Sequence, residues 1–263
     1  MTQQQTHQPP HVTLVGAGPG DPELLTIKAV KAIAAATVLL VDDLVSDAIT
    51  TYASPKARII HVGKRGGCQS TPQAFIEKLM LQEALAGETV VRLKGGDPFI
   101  FGRGGEEVEH LRAQGVAVTV VNGITAGLAG VTSLGVPLTH RAHAHGVLFI
   151  TGHAKQGATD TVDWAALSQT VAQAKLTLVV YMGMSGAEQL QTSLLQGLTP
   201  QTPVAVIQQV SLPTQRHVVC PLGELHDTVV RHQMASPSVI VVGDVLQGLQ
   251  YIEQHNPRLV AAA

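Results

Sequence analysis

Very little in this chain serves a disulfide framework, a charged binding face or a membrane span. Two cysteines, Cys68 and Cys220, stand in 263 residues, too few for a stapled fold or a cysteine-based zinc cluster, and they read as reduced thiols. Charged residues make up 14% of the chain, against about 25% in an average soluble protein. With a net charge of −2, no global basic field draws nucleic acid or anionic lipid, and an anionic ligand must be held by local arginines and lysines. No stretch approaches the roughly 18 uninterrupted apolar residues of a membrane helix. The first ten residues, MTQQQTHQPP, lack the charged-then-apolar pattern of a secretory signal, so 1–10 reads as a disordered tail and the chain as cytoplasmic.

What remains is an apolar chain, 45% hydrophobic, of a length that suits one large or two ordinary domains. Continuous apolar runs at Val12–Val15, Thr37–Val41, Arg58–Val62, Thr89–Leu93 and Val116–Val121 alternate with helical patterns near Glu23–Ala36, Pro72–Ala86, Glu106–Gln114 and Ile124–Leu134. That alternation predicts parallel strands covered on both faces. The rhythm breaks at Val136–His145. Beyond it, strands are expected at Val147–Thr151, Thr177–Tyr181, Val204–Gln208 and Val239–Val242, with helices near Ala187–Gln196 and Leu222–Gln233. Pro200, Pro203, Pro213 and Gln215-Arg216-His217 give this second part more antiparallel character. The fold class is therefore α/β, with one domain over 11–138, a second over 139–263, and a ligand cleft expected between them.

Two glycine-rich turns stand out. Gly16-Ala17-Gly18-Pro19-Gly20-Asp21-Pro22 follows the first strand directly, and Asp42 and Asp43 lie near the spacing of a dinucleotide fingerprint's ribose-binding acid. Pro19 interrupts that fingerprint, however, and Pro22 suits a first helical turn. The second segment, Val91–Glu107, reads VRLKGGDPFIFGRGGEE and places two of the chain's four phenylalanines in a loop. Glycines let a backbone lie close against a ligand, Pro98 stops the strand, and Glu106 and Glu107 suit a helix N-terminus. Such a segment builds a site.

Taken in order, GAGPGDPELLT (Gly16–Thr26), GKR (Gly63–Arg65), RLKGGDPFIFGRGGEE (Arg92–Glu107), PLTHR (Pro137–Arg141), TGH (Thr151–His153), YMG (Tyr181–Gly183) and TPVAVI (Thr202–Ile207) closely resemble the tetrapyrrole methylases. Within that family they resemble the branch acting on uroporphyrinogen III. The resemblance implies two α/β domains with the active site between them and a homodimer. It implies S-adenosyl-methionine as methyl donor, S-adenosyl-homocysteine as its product, and two methylations that end at precorrin-2. No dehydrogenase–ferrochelatase module, such as bifunctional relatives carry, is read in these residues. Asn122 stands where the family has proline, and Val41 where a tyrosine precedes the aspartate.

The implied donor contacts are Pro19, Gly95, Gly96, Asp97, Ile100, Thr125, Ala126, Met182, Val210 and Ser238, several of them through backbone. The substrate carries many carboxylates, so Arg65, Arg103, Arg141 and His153 are implied substrate ligands, arginine being suited to bidentate carboxylate binding. Asp42 is the implied proton acceptor and Lys64 a candidate donor. Glu106, one helical turn from Arg103, is a second carboxylate that could take the proton. The histidines 140, 143, 145 and 153 have no helical ligand pair and no cysteine beside them, so no metal is expected. Other readings are a methyltransferase acting on a later corrin precursor and a non-catalytic adenosyl-binding protein.

Overall fold

The computed structural model describes residues 9–63, 71–152 and 162–249; Lys64, Arg65, Cys68 and His153 lie outside the described residues. Contacts divide the chain into two compact units that meet between Thr125 and Ala126. The boundary expected after residue 138 thus lies beyond the helix Ala126–Ser133, which packs on second-unit strands.

The first unit holds a five-stranded sheet built from β1 (His11–Gly16), β2 (Val38–Val41), β3 (Arg58–His61), β4 (Val90–Lys94) and β5 (Ala117–Val121). Its order is β3-β2-β4-β1-β5, and every pair is parallel. The inner strands β2 and β4 are buried throughout because both of their faces are covered, whereas the edge strand β3 is largely exposed. On one face α1 (Ile27–Ala35) lays Ala29 and Ile33 against Val15, Leu39, Val41 and Leu93. On the other, α3 (Gln73–Leu85) and α4 (Gly104–Ala113) bury Ile76, Met80, Val108 and Leu111 against Val12, Leu14, Val38 and Leu40.

Local chemistry sets the helix starts. Asp21 Oδ1 accepts from the Glu23 amide at 2.8 Å, opening a single 3-10 turn at Pro22–Leu24. Thr26 Oγ1 then accepts from the Ala29 amide at 3.1 Å and caps α1. The helix expected from Glu23 therefore starts at Ile27, because Leu25 and Thr26 are extended. A short helix, α2 (Asp47–Thr50), follows β2.

The second unit opens with α5 (Ala126–Ser133) and holds β6 (Gly146–Thr151), α6 (Trp164–Gln173), β7 (Leu176–Tyr181), α7 (Ala187–Leu194), β8 (Pro203–Gln208), β9 (Arg216–Pro221), α8 (Leu225–Arg231) and β10 (Ser238–Val242). The sheet order is β6-β7-β10-β8-β9. Only the β6–β7 pair is parallel, the rest being antiparallel, so the mixed character read from the prolines holds. β9 and α6 are additions to the expected elements. α6 is capped by Asp163, whose Oδ1 accepts from the Ala166 amide at 3.0 Å. Cys220 on β9 is buried and forms no disulfide among the described residues.

Three backbone turns meet at the carboxyl edge of the first sheet. A Cβ on Gly16 would lie 2.4 Å from the Gly123 nitrogen and 2.7 Å from the Gly96 carbonyl oxygen, and one on Gly123 would lie 2.1 Å from that same oxygen. Both positions demand glycine. Gly123→Ala is expected to cost at least the ~1–3 kcal/mol typical of overpacking, read as a lower denaturation midpoint in urea.

Candidate active site

Strands β1 and β4 are neighbours whose connections leave to opposite faces of the sheet, toward α1 and toward α4. This is the switch point at which open α/β sheets hold ligands. The turns after these strands are tied to one another. Gly18 donates to the Gly96 carbonyl at 3.1 Å, Gly96 donates to the Gly18 carbonyl at 2.7 Å, and the Ala17 amide bonds the Lys94 carbonyl at 2.8 Å. Pro19, Gly95, Gly96, Asp97, Ile100 and Thr125 of the implied donor set all belong to the turns at this edge.

Asp97 is 7% exposed and heavily engaged. Its Oδ1 accepts from the Phe99 amide at 2.8 Å, while Oδ2 accepts from the Gly123 amide and the Asn122 side-chain nitrogen, both at 3.1 Å. Three of a carboxylate's roughly four acceptor directions are thus filled, one closing the β4 turn on itself and two pinning it to the β5 turn. Asn122, the departure from the family's proline, supplies one of those bonds.

Past Pro98 the backbone is strained. Phe101 (φ 53°) and Arg103 (φ 58°) are left-handed, a region costly for residues with a Cβ. Gly104 starts α4 by donating to the Pro98 carbonyl at 3.0 Å. An open groove of about 420 Å³ is lined by Pro98, Phe99, Arg103, Gly104, Gly105, Glu106 and Glu109. On its wall Arg103 and Glu106 form an ion pair, with Nε 3.0 and 3.2 Å from the two carboxylate oxygens. That hydrogen bond raises the Arg103 pKa. Both side chains are about half exposed.

Behind this surface lies a layer of buried charge that sequence reading missed. Arg92 and Lys94 continue, at period two, the row begun by Val90 on the face covered by α3 and α4. They are 2% and 3% exposed, and Glu107 of α4 is 0% exposed. Glu107 Oε1 accepts from Gln73 Nε2 at 3.0 Å, Lys94 Nζ at 3.0 Å and Arg92 Nε at 3.3 Å. Its Oε2 is buried with no hydrogen-bond partner among the described residues. The far side of the Arg92 guanidinium faces Asp42, with the terminal nitrogen 3.6 Å from Oδ1. Asp42, just past β2, is about one-third exposed. The signal was available: two cations alternating in a core strand, and one glutamate in the buried row of Glu107, Val108 and Leu111.

In the second unit the register joins Tyr181 to Val239 and Gln208 to Ser238, so Met182, Val210 and Ser238 share one end of the sheet. Met182 (φ 54°), Gln209 (φ 52°) and Ser211 (φ 63°) are left-handed there. Val210 is buried, whereas Met182 is 49% exposed. The start of α5, including Ala126, reaches the same end, where the Gly127 amide donates to the Tyr181 hydroxyl at 2.8 Å. Small residues allow that approach: a Cβ on Gly127 would lie 2.4 Å from the hydroxyl oxygen.

Arg141 is elsewhere in this unit. Its turn is tied by Thr177 Oγ1 to the Leu138 carbonyl at 2.8 Å and by the His145 amide to the Lys175 carbonyl at 2.8 Å. Those anchors lie where Gly146 pairs with Leu176, the opposite end of β7 from Met182. The His140 and His143 rings stack at 4.7 Å in the same turn. Among the described residues no group of three or more His, Cys, Asp or Glu side chains has metal-binding geometry, and no helix is long and apolar enough to cross a membrane.

Comparison with known proteins names the class first. The fold matches, with a TM-score of 0.76, the uroporphyrin-III C-methyltransferase of Thermus thermophilus solved with S-adenyl homocysteine, at 39% identity and covering 90% of this chain and 99% of that one. The uroporphyrinogen-III C-methyltransferase of Pseudomonas aeruginosa is 49% identical over 239 residues, covering 90% of this chain and 95% of that protein. The Pseudomonas fluorescens enzyme of the same name is 48% identical, covering 89% and 92%. The family model for tetrapyrrole (corrin/porphyrin) methylases matches residues 11–226, and the chain belongs to that family.

Burial, and after it the adjacent Arg92, lower the Lys94 pKa from its ordinary 10.5, while Glu107 and Asp42 oppose the shift. At pH values between the lowered folded value and 10.5 the unfolded chain binds the extra proton, so the contribution of Lys94 to stability grows as pH rises through that window. Urea unfolding should show wild type gaining stability relative to Lys94→Arg, which does not titrate, from neutral to alkaline pH. A flat difference would contradict this.

Proposed function

We infer that the chain is an S-adenosyl-methionine-dependent C-methyltransferase that adds two methyl groups to uroporphyrinogen III to give precorrin-2. The observation that carries the reading is the 49% identity to the Pseudomonas aeruginosa enzyme along 95% of that protein's length. The low charge content and reduced-thiol reading support a cytoplasmic homodimer, with its product open to sirohaem- and cobalamin-type pathways.

The local chemistry fits such a donor. When bound, S-adenosyl-methionine supplies an electrophilic methyl group on a cationic sulfur. Glycine turns such as Gly95-Gly96 present backbone carbonyls without side chains in the way, and the half-exposed Met182 adds an apolar, polarisable surface. Transfer consumes the sulfonium charge, so a weakly polar lining favours the transition state over the reactants. Positioning two reactants in near-attack geometry is worth about 7–11 kcal/mol. Pro19, Gly95, Gly96, Asp97, Ile100, Thr125, Ala126, Met182, Val210 and Ser238 are the proposed donor contacts, Asp97 acting chiefly by holding the turns.

The substrate's carboxylates are assigned to Arg103, in the groove beside Phe99, to Arg141, and to Arg65 and His153. Once a pyrrole carbon is methylated, the macrocycle must shed a proton. Asp42 is the assigned acceptor, being a carboxylate at the carboxyl edge of the first sheet that faces a fixed guanidinium. Lys64 is the assigned proton donor. Glu106 is the alternative acceptor, although its carboxylate is engaged by Arg103.

Anaerobic incubation with uroporphyrinogen III and methyl-labelled S-adenosyl-methionine, followed by mass analysis, should give a product heavier by two methyl groups. A donor-binding protein that transfers nothing would refute the reaction. Arg141→Ala is expected to raise the substrate KM while leaving S-adenosyl-homocysteine affinity unchanged, since Arg141 lies at the far end of β7 from Met182. Equal loss of both affinities would remove it from the substrate set.

A further inference from the structure

The buried charge layer is more than the fold needs. Val90, Val12 and Leu40 cover the same face of the sheet with apolar side chains, and replacing buried ion clusters by apolar residues is often neutral or stabilising. Yet Arg92, Lys94 and Glu107 are charged, almost fully enclosed and clustered on a single oxygen, Glu107 Oε1. Their arrangement is directional. Arg92 bonds Glu107 through Nε at 3.3 Å and the Leu93 carbonyl through one terminal nitrogen at 3.3 Å, leaving the other terminal nitrogen 3.6 Å from Asp42. A guanidinium is a planar, rigid fork, so fixing Nε and one terminal nitrogen aims the remaining one.

We propose that Glu107 is a positioning residue for the methylation reaction: through the Arg92 guanidinium it sets the direction in which the Asp42 carboxylate is held. Gln73 completes the anchor by donating to the same Glu107 oxygen at 3.0 Å from the start of α3, so α3, α4 and β4 together fix the guanidinium that faces the partly exposed Asp42 carboxylate. At 3.6 Å the Arg92–Asp42 contact is an ion pair rather than a hydrogen bond. It restrains Asp42 while leaving its oxygens open to substrate. The proposal rests on the reading of Asp42 as the proton acceptor.

A double-mutant cycle tests it, with wild type, Asp42→Asn, Glu107→Gln and the pair compared at saturating substrates. Rates are expressed per site that binds S-adenosyl-homocysteine, which removes misfolded protein from the count. Asp42→Asn is expected to lower kcat within the about 10²–10⁴-fold range of acid–base assistance. Glu107→Gln should lower kcat about tenfold or more while both KM values stay within about twofold, the mark of an interaction used in the transition state. The double variant should be no slower than Asp42→Asn alone, and Glu107→Asp, which keeps the charge, should recover part of the loss.

A purely structural Glu107 would leave kcat per binding site unchanged or multiply its effect in the double variant, and either result overturns the proposal. Wild-type kcat in Asp42→Asn overturns the premise and the proposal together, whereas an additive cycle overturns the proposal and leaves the premise standing. Should Glu107→Gln yield no folded protein, Arg92→Lys takes its place in the cycle, since lysine keeps the charge and loses the fork. A non-additive result then supports the proposal and an additive one refutes it.

Discussion

The close approach of backbone to backbone at Gly16, Gly96 and Gly123 is the constraint on which the first unit depends. Three parallel strands deliver their turns to one edge, where a Cβ on Gly16 or Gly123 would collide with neighbouring backbone and Gly96 is held at φ 65°. The Asp97 carboxylate locks the arrangement by accepting from Phe99, Asn122 and Gly123. A carboxylate held by three donors orients the β4 turn more firmly than loop backbone does alone. Everything after it, the left-handed Phe101 and Arg103, the start of α4 and the groove beside Phe99, inherits its direction from that lock.

Strand β4 carries the second constraint. One of its faces is apolar, with Val91 and Leu93 against α1; the other turns from Val90 to two cations beneath α3 and α4. Removing one partner of such a buried cluster typically costs about 3–5 kcal/mol, so the layer ties α3, α4 and β4 together even before any chemistry is considered. The second unit shapes the corresponding end of its sheet differently. Left-handed residues end β7 and β8, the antiparallel β10 begins beside them, and the small residues of α5 bring its first turn to the Tyr181 hydroxyl. Five of the seven left-handed non-glycine residues among the described ones, all but Lys175 and Gln233, flank these two sheet ends.

Much of this was legible beforehand because the strands are continuous apolar runs and the turns are rich in glycine and proline. The first sheet's strands and the mixed character of the second follow from that pattern. α6 escaped because its ten residues, WAALSQTVAQ, carry a polar Ser168 on the buried face, where its hydroxyl bonds the Ala165 carbonyl. β9 escaped because Arg216 and His217 open it and only its pairing with β8 makes it a strand. Asp97 was legible as important, but its bonds to Asn122 and Gly123 required knowing that the turns after β4 and β5 touch.

By itself, then, the sequence determined the α/β class, the two glycine-rich turns, the family and the residue types at the candidate site, because periodicity and turn chemistry are local properties of the chain. Only the tertiary structure decided which of those residues meet. Met182, Val210 and Ser238, far apart in the chain, converge because β10 runs antiparallel between β7 and β8. Arg141 goes to the other end of β7 because its turn is pinned to Thr177 and Lys175. Glu107 rather than Glu106 became the buried partner of Arg92 because adjacent residues on a helix point about 100° apart. That angle turns one carboxylate toward the groove and its neighbour into the sheet.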